Sequence, residues 1–307
     1  MDRPGALAAI GRTPIVRLTR LVEPGMAEVW VKLESFNPTG SYKDRMALAM
    51  IEGAERSGRL QPGQTVVEYT GGSTGSSLAL VCAIKGYPLR IVSSDAFAGE
   101  KRRTMLALGA EVELIASPEG ITPDLVPAMR ARAAELALEI GGFQTDQFNN
   151  TDMVVGYRAL GTEVIEQLDG SLDAWVGYVG TAGCFLGVTQ VLRERWPGLR
   201  RVVVEPAESA VLSGKPAGTH RIEGGGIGSR PPLLGPGDWD DVIAVSSVDA
   251  IAMARCAARL EGVWSGPSTG ANLVAALEIA RRLGPGHRVA TVLVDSGLKY
   301  LGGAVYA

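Results

Sequence analysis

The sequence predicts an α/β protein whose mostly parallel sheets are covered by helices on both sides. Three features point there. Short runs rich in Val and Ile alternate with longer helical runs along the chain. Several short runs are apolar at successive positions, as in strands covered on both faces. Glycine makes up 40 of 307 residues, roughly double the usual share of about 7%, and clusters in short loops without a period.

Strand patterns run over 29–34 (VWVKLE), 65–70 (TVVEYT), 89–93 (LRIVS) and 111–115 (EVELI). The first is followed by a helical pattern over 44–57, where Asp44 in the opening turn suits the helix dipole. The run 74–84 is small and apolar, so it predicts a closely packed helix. Helical patterns over 100–108 and 124–140 complete the first half. The second half repeats the scheme, with strands over 175–179, 201–205, 242–246 and 289–294 and helices over 152–168, 183–194, 248–260 and 270–283. The Gly- and amide-rich segment GGFQTDQFNNT, 141–151, interrupts the alternation. It places a domain boundary nearby, between a smaller αβα domain over about 35–145 and a larger one over about 146–307, to which residues 1–34 are also assigned although the pattern itself does not show it, with the active site expected in the cleft between them.

Composition excludes several classes. The formal net charge is −3 and the signs are interspersed, so no nucleic-acid surface is expected. RERW, 193–196, and Arg200–Arg201 read as a solvated helix end and loop. Cys82, Cys184 and Cys256 stand far apart, and His220 and His287 are the only histidines, which leaves no metal-ligand spacing. Cys82, in LALVCAI, reads as a buried small hydrophobe. The amino end, MDRPGALAAIG, lacks the pattern of a signal peptide, and no apolar run reaches membrane-spanning length. A cytoplasmic protein is expected. The lysines are only Lys32, Lys43, Lys85, Lys101, Lys215 and Lys299, against 24 arginines.

Five polar segments can carry chemistry. NPTGSYKDR, 37–45, lies between a strand and a helix, with Ser41 placed to cap. It reads either as a helix start with a solvated lysine or as a site where Lys43 faces a cleft. A helix amino end and desolvation both favour the neutral amine that attacks an aldehyde. EYTGGSTGSSLAL, 68–80, offers close backbone approach at Gly71 and Gly72 and hydroxyls at Thr70, Ser73 and Thr74, for an anion or simply for a cap. VGYVGTAGCFLG, 176–187, can wrap a phosphate with Gly180, Thr181, Ala182, Gly183 and Cys184, but matches neither the dinucleotide nor the P-loop pattern. SGPSTGAN, 265–272, places Ser268 before a helix, and VDSGLKY, 294–300, ends a strand. Ligands of open α/β sheets gather beyond the carboxyl ends of strands, so these loops can share one cleft.

In this order the segments resemble the cysteine synthase and cystathionine β-synthase family of fold-type II, tryptophan synthase β-like enzymes that use pyridoxal phosphate. The resemblance covers essentially the whole chain. It implies that Lys43 carries the cofactor, with Asn37 the asparagine of the same segment, and that residues 180–184 hold its phosphate. It implies that Ser268 pairs with the pyridine nitrogen and that Ser73 stands near the cofactor's 3′ oxygen. Thr70, Gly71, Gly72, Thr74 and Gln147 would take the substrate carboxylate, and the loop 223–228, with Gly225, would face the amino-acid substrate. The resemblance also implies a homodimer acting on a small amino acid and a small nucleophile.

Four positions depart from the family pattern. Ser73 replaces an asparagine, Gly71 a serine, Ala182 a glycine and Cys184 a threonine. The implied reaction is β-replacement on an O-activated L-serine: O-acetylserine and sulfide giving L-cysteine and acetate. Pure β-elimination, O-phosphoserine as donor and a different nucleophile stay open. Arg230 is the nearest candidate contact for a donor phosphate. A non-catalytic relative would lose Lys43, which is present.

Overall fold

Two sheets divide the strands between them in a computed structural model that describes residues 5–122 and 124–306. The order is β1 (Ile15–Arg17), β2 (Glu28–Leu33), α1 (Lys43–Arg56), β3 (Val66–Tyr69), α2 (Ser73–Lys85), β4 (Leu89–Ser94), α3 (Gly99–Ala107), β5 (Glu111–Ile115), α4 (Leu125–Ile140) and β6 (Phe143–Gln144). Then come α5 (Asp152–Gln167), β7 (Ala174–Tyr178), α6 (Gly183–Arg195), β8 (Arg200–Pro206), β9 (Asp241–Val245), α7 (Ser247–Glu261), α8 (Pro267–Leu283) and β10 (Arg288–Leu293). The smaller sheet has the order β5-β4-β3-β6, the larger β1-β2-β10-β7-β8-β9. Every pairing is parallel except β1 with β2, where Val16 faces Val31.

Burial follows the sequence pattern. β3 and β7 are buried at every position. One apolar cluster joins the two sheets through Met46, Ile51, Leu78, Met105, Tyr157 and Trp175. A second lies under α7 and α8, and a third under α4. The small residues of α2 let it lie against α1, with Leu78, Ala79 and Val81 buried. β5 is the exception: its positions are exposed or half-buried because it is an edge strand. Its acidic residues are paired, Glu111 with Arg90 of the neighbouring β4 and Glu113 with Arg132 of α4, and charged side chains suit an edge strand.

Three sequence readings need correction. The short β1 and β6 carry too few residues to show a period, and β6 lies within the segment read as an interruption. Arg200 and Arg201 open β8 rather than a loop, and Arg201 is paired with Asp240 at 2.7 Å. α8 begins at Pro267, so Ser268 stands inside its first turn rather than before it. A proline fits the first helical position because its missing N–H has no partner there to lose. Residues 1–4 of the amino-terminal reading lie outside the described residues. Among the described residues, no helix is long and apolar enough to cross a membrane.

Candidate active site

Local hydrogen bonds aim Lys43. Asp44 accepts from Thr39 N at 2.8 Å and from Thr39 Oγ1 at 2.5 Å, which closes the loop ahead of α1. Asn37 donates to the Glu34 carbonyl and carboxylate, and its Oδ1 accepts from Gly11 N. Ser41 is not the cap that the sequence led us to expect, because Tyr42 holds the N-cap position without a side-chain cap bond; Ser41 Oγ, one residue earlier, accepts from Lys43 N at 3.2 Å. The Lys43 side chain then points into a cavity bordered by both sheets and is 6% exposed. Among the described residues its Nζ meets no oxygen acceptor: it lies 3.9 Å from the weak acceptor Met46 Sδ and 5.1 Å from the centroid of the Tyr42 ring. Burial lowers its pKa to about 8, so an appreciable fraction of the amine is neutral near neutral pH.

The loop after β3 forms one wall, with Thr70, Gly71, Gly72, Ser73 and Thr74 all lining the cavity. Gly72 N donates to Thr70 Oγ1 at 3.0 Å. Gly71 is packed against Phe97 and Gly72, at φ +145°, against the stem of Lys101, so a Cβ at either would strike a side chain. Thr74 Oγ1 donates to Gln147 Oε1 at 2.9 Å, and Gln147 Nε2 donates to the Tyr69 carbonyl at 2.7 Å. Behind them sits the buried carboxylate of Glu68. It accepts from Tyr69 N, Thr145 Oγ1 and Gln147 N, while burial pushes it up to about 7.

The opposite wall is two backbones in contact. Gly180 and Thr181, after β7, line the cavity beside Gly225. A Cβ on Gly180 would strike the Gly224 carbonyl, and one on Gly225 the Val179 carbonyl. Ala182 turns the chain into α6 at φ +66°, an L-residue in the left-handed region. Ala182, Gly183 and Cys184 do not line the cavity as Gly180 and Thr181 do; they form the turn that opens α6, with Ala182 and Gly183 buried and Cys184 half-buried. Gly183 lies against Met153, and burial raises the Cys184 thiol well above its usual range. Ser268 lines the cavity from α8, and its buried Oγ has no hydrogen-bond partner among the described residues.

Ser73 turns to a partner that spacing did not reveal. Its Oγ donates to Asp295 Oδ2 at 2.9 Å, at the end of β10. Asp295 also accepts from the Tyr300 hydroxyl, so losing Ser73 leaves that carboxylate one bond poorer. Ser73→Ala is expected to lower stability by about 0.5–1.5 kcal/mol, or somewhat more because the acceptor is charged, with cofactor content unchanged. Denaturant titration of the holoenzyme checks this. A shifted visible spectrum at constant content would show that the hydroxyl also reaches the cofactor.

Pattern reading also passed over Lys101, Asp295 and Tyr42, which all line the cavity. Lys101 stood out only by the scarcity of lysine, and Asp295 only as part of VDSGLKY. Arg230, named for a donor phosphate, is exposed and does not line the cavity.

The donor set fits pyridoxal phosphate. A buried amine without an oxygen acceptor, a buried serine hydroxyl without a partner and a glycine turn at the start of a helix border one cavity. Buried polar groups are otherwise satisfied almost throughout a folded protein, so such a pair points to a ligand. Comparisons with known proteins agree. The family model described as pyridoxal-phosphate dependent enzyme matches residues 6–295. A cysteine synthase of Staphylococcus aureus is 41% identical over 300 residues, which cover 97% of this chain and 95% of that protein. Among solved structures, an O-ureido-L-serine synthase superposes with a TM-score of 0.92 at 36% identity, covering 100% of this chain and 96% of that one. An O-acetyl serine sulfhydrylase isoform from Entamoeba histolytica gives 0.92 at 35% identity, covering 100% of this chain and 92% of that one. The chain belongs to the fold-type II pyridoxal-phosphate-dependent enzymes and is cysteine synthase-like.

Proposed function

We propose that this enzyme carries out β-replacement on an O-activated L-serine, with O-acetyl-L-serine as donor and sulfide as nucleophile, giving L-cysteine and acetate. The observation that carries the reading is the buried Lys43 amine in the same cavity as the Thr74–Gln147 pair. Bound pyridoxal phosphate supplies the aldehyde that captures the amino acid and a ring that accepts electrons from Cα. Lys43 Nζ holds the cofactor at rest and, once free, takes the proton from the substrate Cα. The Thr70–Thr74 loop and Gln147 bind the substrate carboxylate through hydroxyl, amide and backbone N–H groups. Gly180 and Thr181, with the turn 182–184 behind them, hold the cofactor phosphate with backbone N–H groups at the start of α6. Ser268 Oγ meets the pyridine nitrogen as a neutral partner. We assign these roles within a smaller domain over 35–145 and a larger one over 1–34 plus 146–307, in a cytoplasmic homodimer.

Acetate leaves as a stable anion, whereas hydroxide would need an acid beside the β position. Neither histidine lines the cavity, and Arg230 lies outside it, which favours acetyl over phosphoryl donors. The test is a product assay with O-acetylserine, O-phosphoserine, serine and cysteine, each with and without sulfide. The expected result is L-cysteine formed fastest from O-acetylserine and dependent on sulfide. Pyruvate and ammonia with no amino-acid product, even at high sulfide, would establish β-elimination instead.

A further inference from the structure

Lys101 projects from α3, beside the smaller sheet, and is 3% exposed. Its stem lies against Gly72 of the β3–α2 loop. Its Nζ donates to Glu223 Oε2 at 2.7 Å and to the Tyr300 hydroxyl at 2.9 Å, and stands 4.3 Å from the Tyr300 ring centroid. Asp295 Oδ2 is 3.9 Å away. Two carboxylates thus border the cavity, one from the loop 223–228 and one from the end of β10, and this one buried cation lies beside both. Lys299 is buried within electrostatic range of Asp295, but among the described residues Lys101 is the lysine that donates a hydrogen bond to Glu223. Removing Lys101 would leave Glu223 and Asp295 without this ammonium in the cavity where the proposed substrate carboxylate binds. Charges so placed are costly and repel an incoming anion.

We propose that Lys101 is a positioning residue for the amino-acid substrate: it offsets part of the negative charge of Glu223 and Asp295 and ties α3 to the loop 223–228, so that the substrate carboxylate settles beside Gly72. This rests on the proposed carboxylate site but not on the choice of leaving group or nucleophile. Holoenzyme with Lys101→Met is therefore expected to need about tenfold more donor, both for KM and for half-saturation of the donor-induced change in visible absorbance. Its kcat should change by less than about threefold and its cofactor content not at all, because the substitution acts on donor binding alone. Lys101→Arg, which keeps the charge, should stay within about threefold of the parent. Adding Glu223→Gln to Lys101→Met removes one unpaired carboxylate and should recover most of the lost affinity. Parental donor binding in Lys101→Met, or a double variant that binds no better than the single one, overturns the proposal. If Lys101→Met does not fold, Glu223→Gln alone decides: it removes one of the two carboxylates, leaves Lys101 balanced by Asp295 and must tighten donor binding, and unchanged or weaker binding overturns the idea. Should the parent turn over no O-activated serine, the proposed reaction fails, while absorbance titration with L-serine still tests Lys101.

Discussion

Lys43→Ala is expected to lower turnover by about a thousandfold or more, since covalent capture and proton transfer through one amine are both removed. No neighbouring amine is free to replace it. The other lysine lining the cavity, Lys101, is held by Glu223 at 2.7 Å and Tyr300 at 2.9 Å, and although burial works against its charge, the carboxylates of Glu223 and Asp295 outweigh it and keep the amine charged. Lys43 has no such carboxylate contact, so burial alone dominates and brings its amine to about 8. The measurement is turnover of the variant at saturating cofactor, together with borohydride reduction of the parent and peptide mapping. Cofactor fixed to any lysine other than Lys43 would refute the assignment.

Arg45→Met should cost about 3–5 kcal/mol of stability, the range seen when one partner of a buried ion pair is removed. Arg45 is 4% exposed and makes forked hydrogen bonds to two carboxylates. Its Nε and Nη2 donate to Glu34 at 2.7 and 2.9 Å, and its Nη1 and Nη2 to Glu163 at 2.7 and 2.8 Å. Lys32, fully buried, reaches Glu163 at 2.7 Å but cannot serve both. Methionine would fill much of the volume and leave the buried Glu34 carboxylate with only the neutral donors Thr13 and Asn37 among its hydrogen-bond partners in the described residues. Denaturant titration should show a lower midpoint with an unchanged slope. The pairing also sets an acid limb. Burial works against the Glu163 carboxylate, but Arg45 and Lys32 outweigh it and hold the group at about 2, below its ordinary 4.5. A depressed folded value stabilises the protein above the unfolded value, and that contribution is lost as pH falls from about 4.5 toward 2. The loss over this window should be shallower in Arg45→Met.

This quartet also shows where sequence reading stopped. Lys32, Glu34 and Arg45 stand in a strand pattern and a helix pattern, and nothing in those patterns marks them as buried. Their partner Glu163 is 118 residues beyond Arg45, so only packing of α5 on α1 makes the charges tolerable. Helix and strand patterns were legible because each buried face repeats at a local period. β1 and β6 were not, because two or three residues show no period and their pairing comes from neighbours far along the chain. The opening of α8 was read three residues late because SGPS looks like loop, although proline and serine suit a first helical turn.

What the sequence determined by itself was local. Hydrophobic period dictated the alternating strands and helices. The segment 37–45 dictated a turn closed by Asp44, with Ser41 Oγ accepting from Lys43 N, which places Lys43 at the start of α1. Glycine was required at 180 and 225, where another backbone approaches too closely for a side chain. Tertiary structure decided which polar ends meet. It turned Ser73 toward Asp295, 222 residues away, and brought Lys101 across the cleft to Glu223, 122 residues away. The physical reason is that a hydroxyl or an ammonium has no periodicity. Its partner is whichever group the packed sheets bring within about 3 Å, and its charge state follows from how much water that packing leaves.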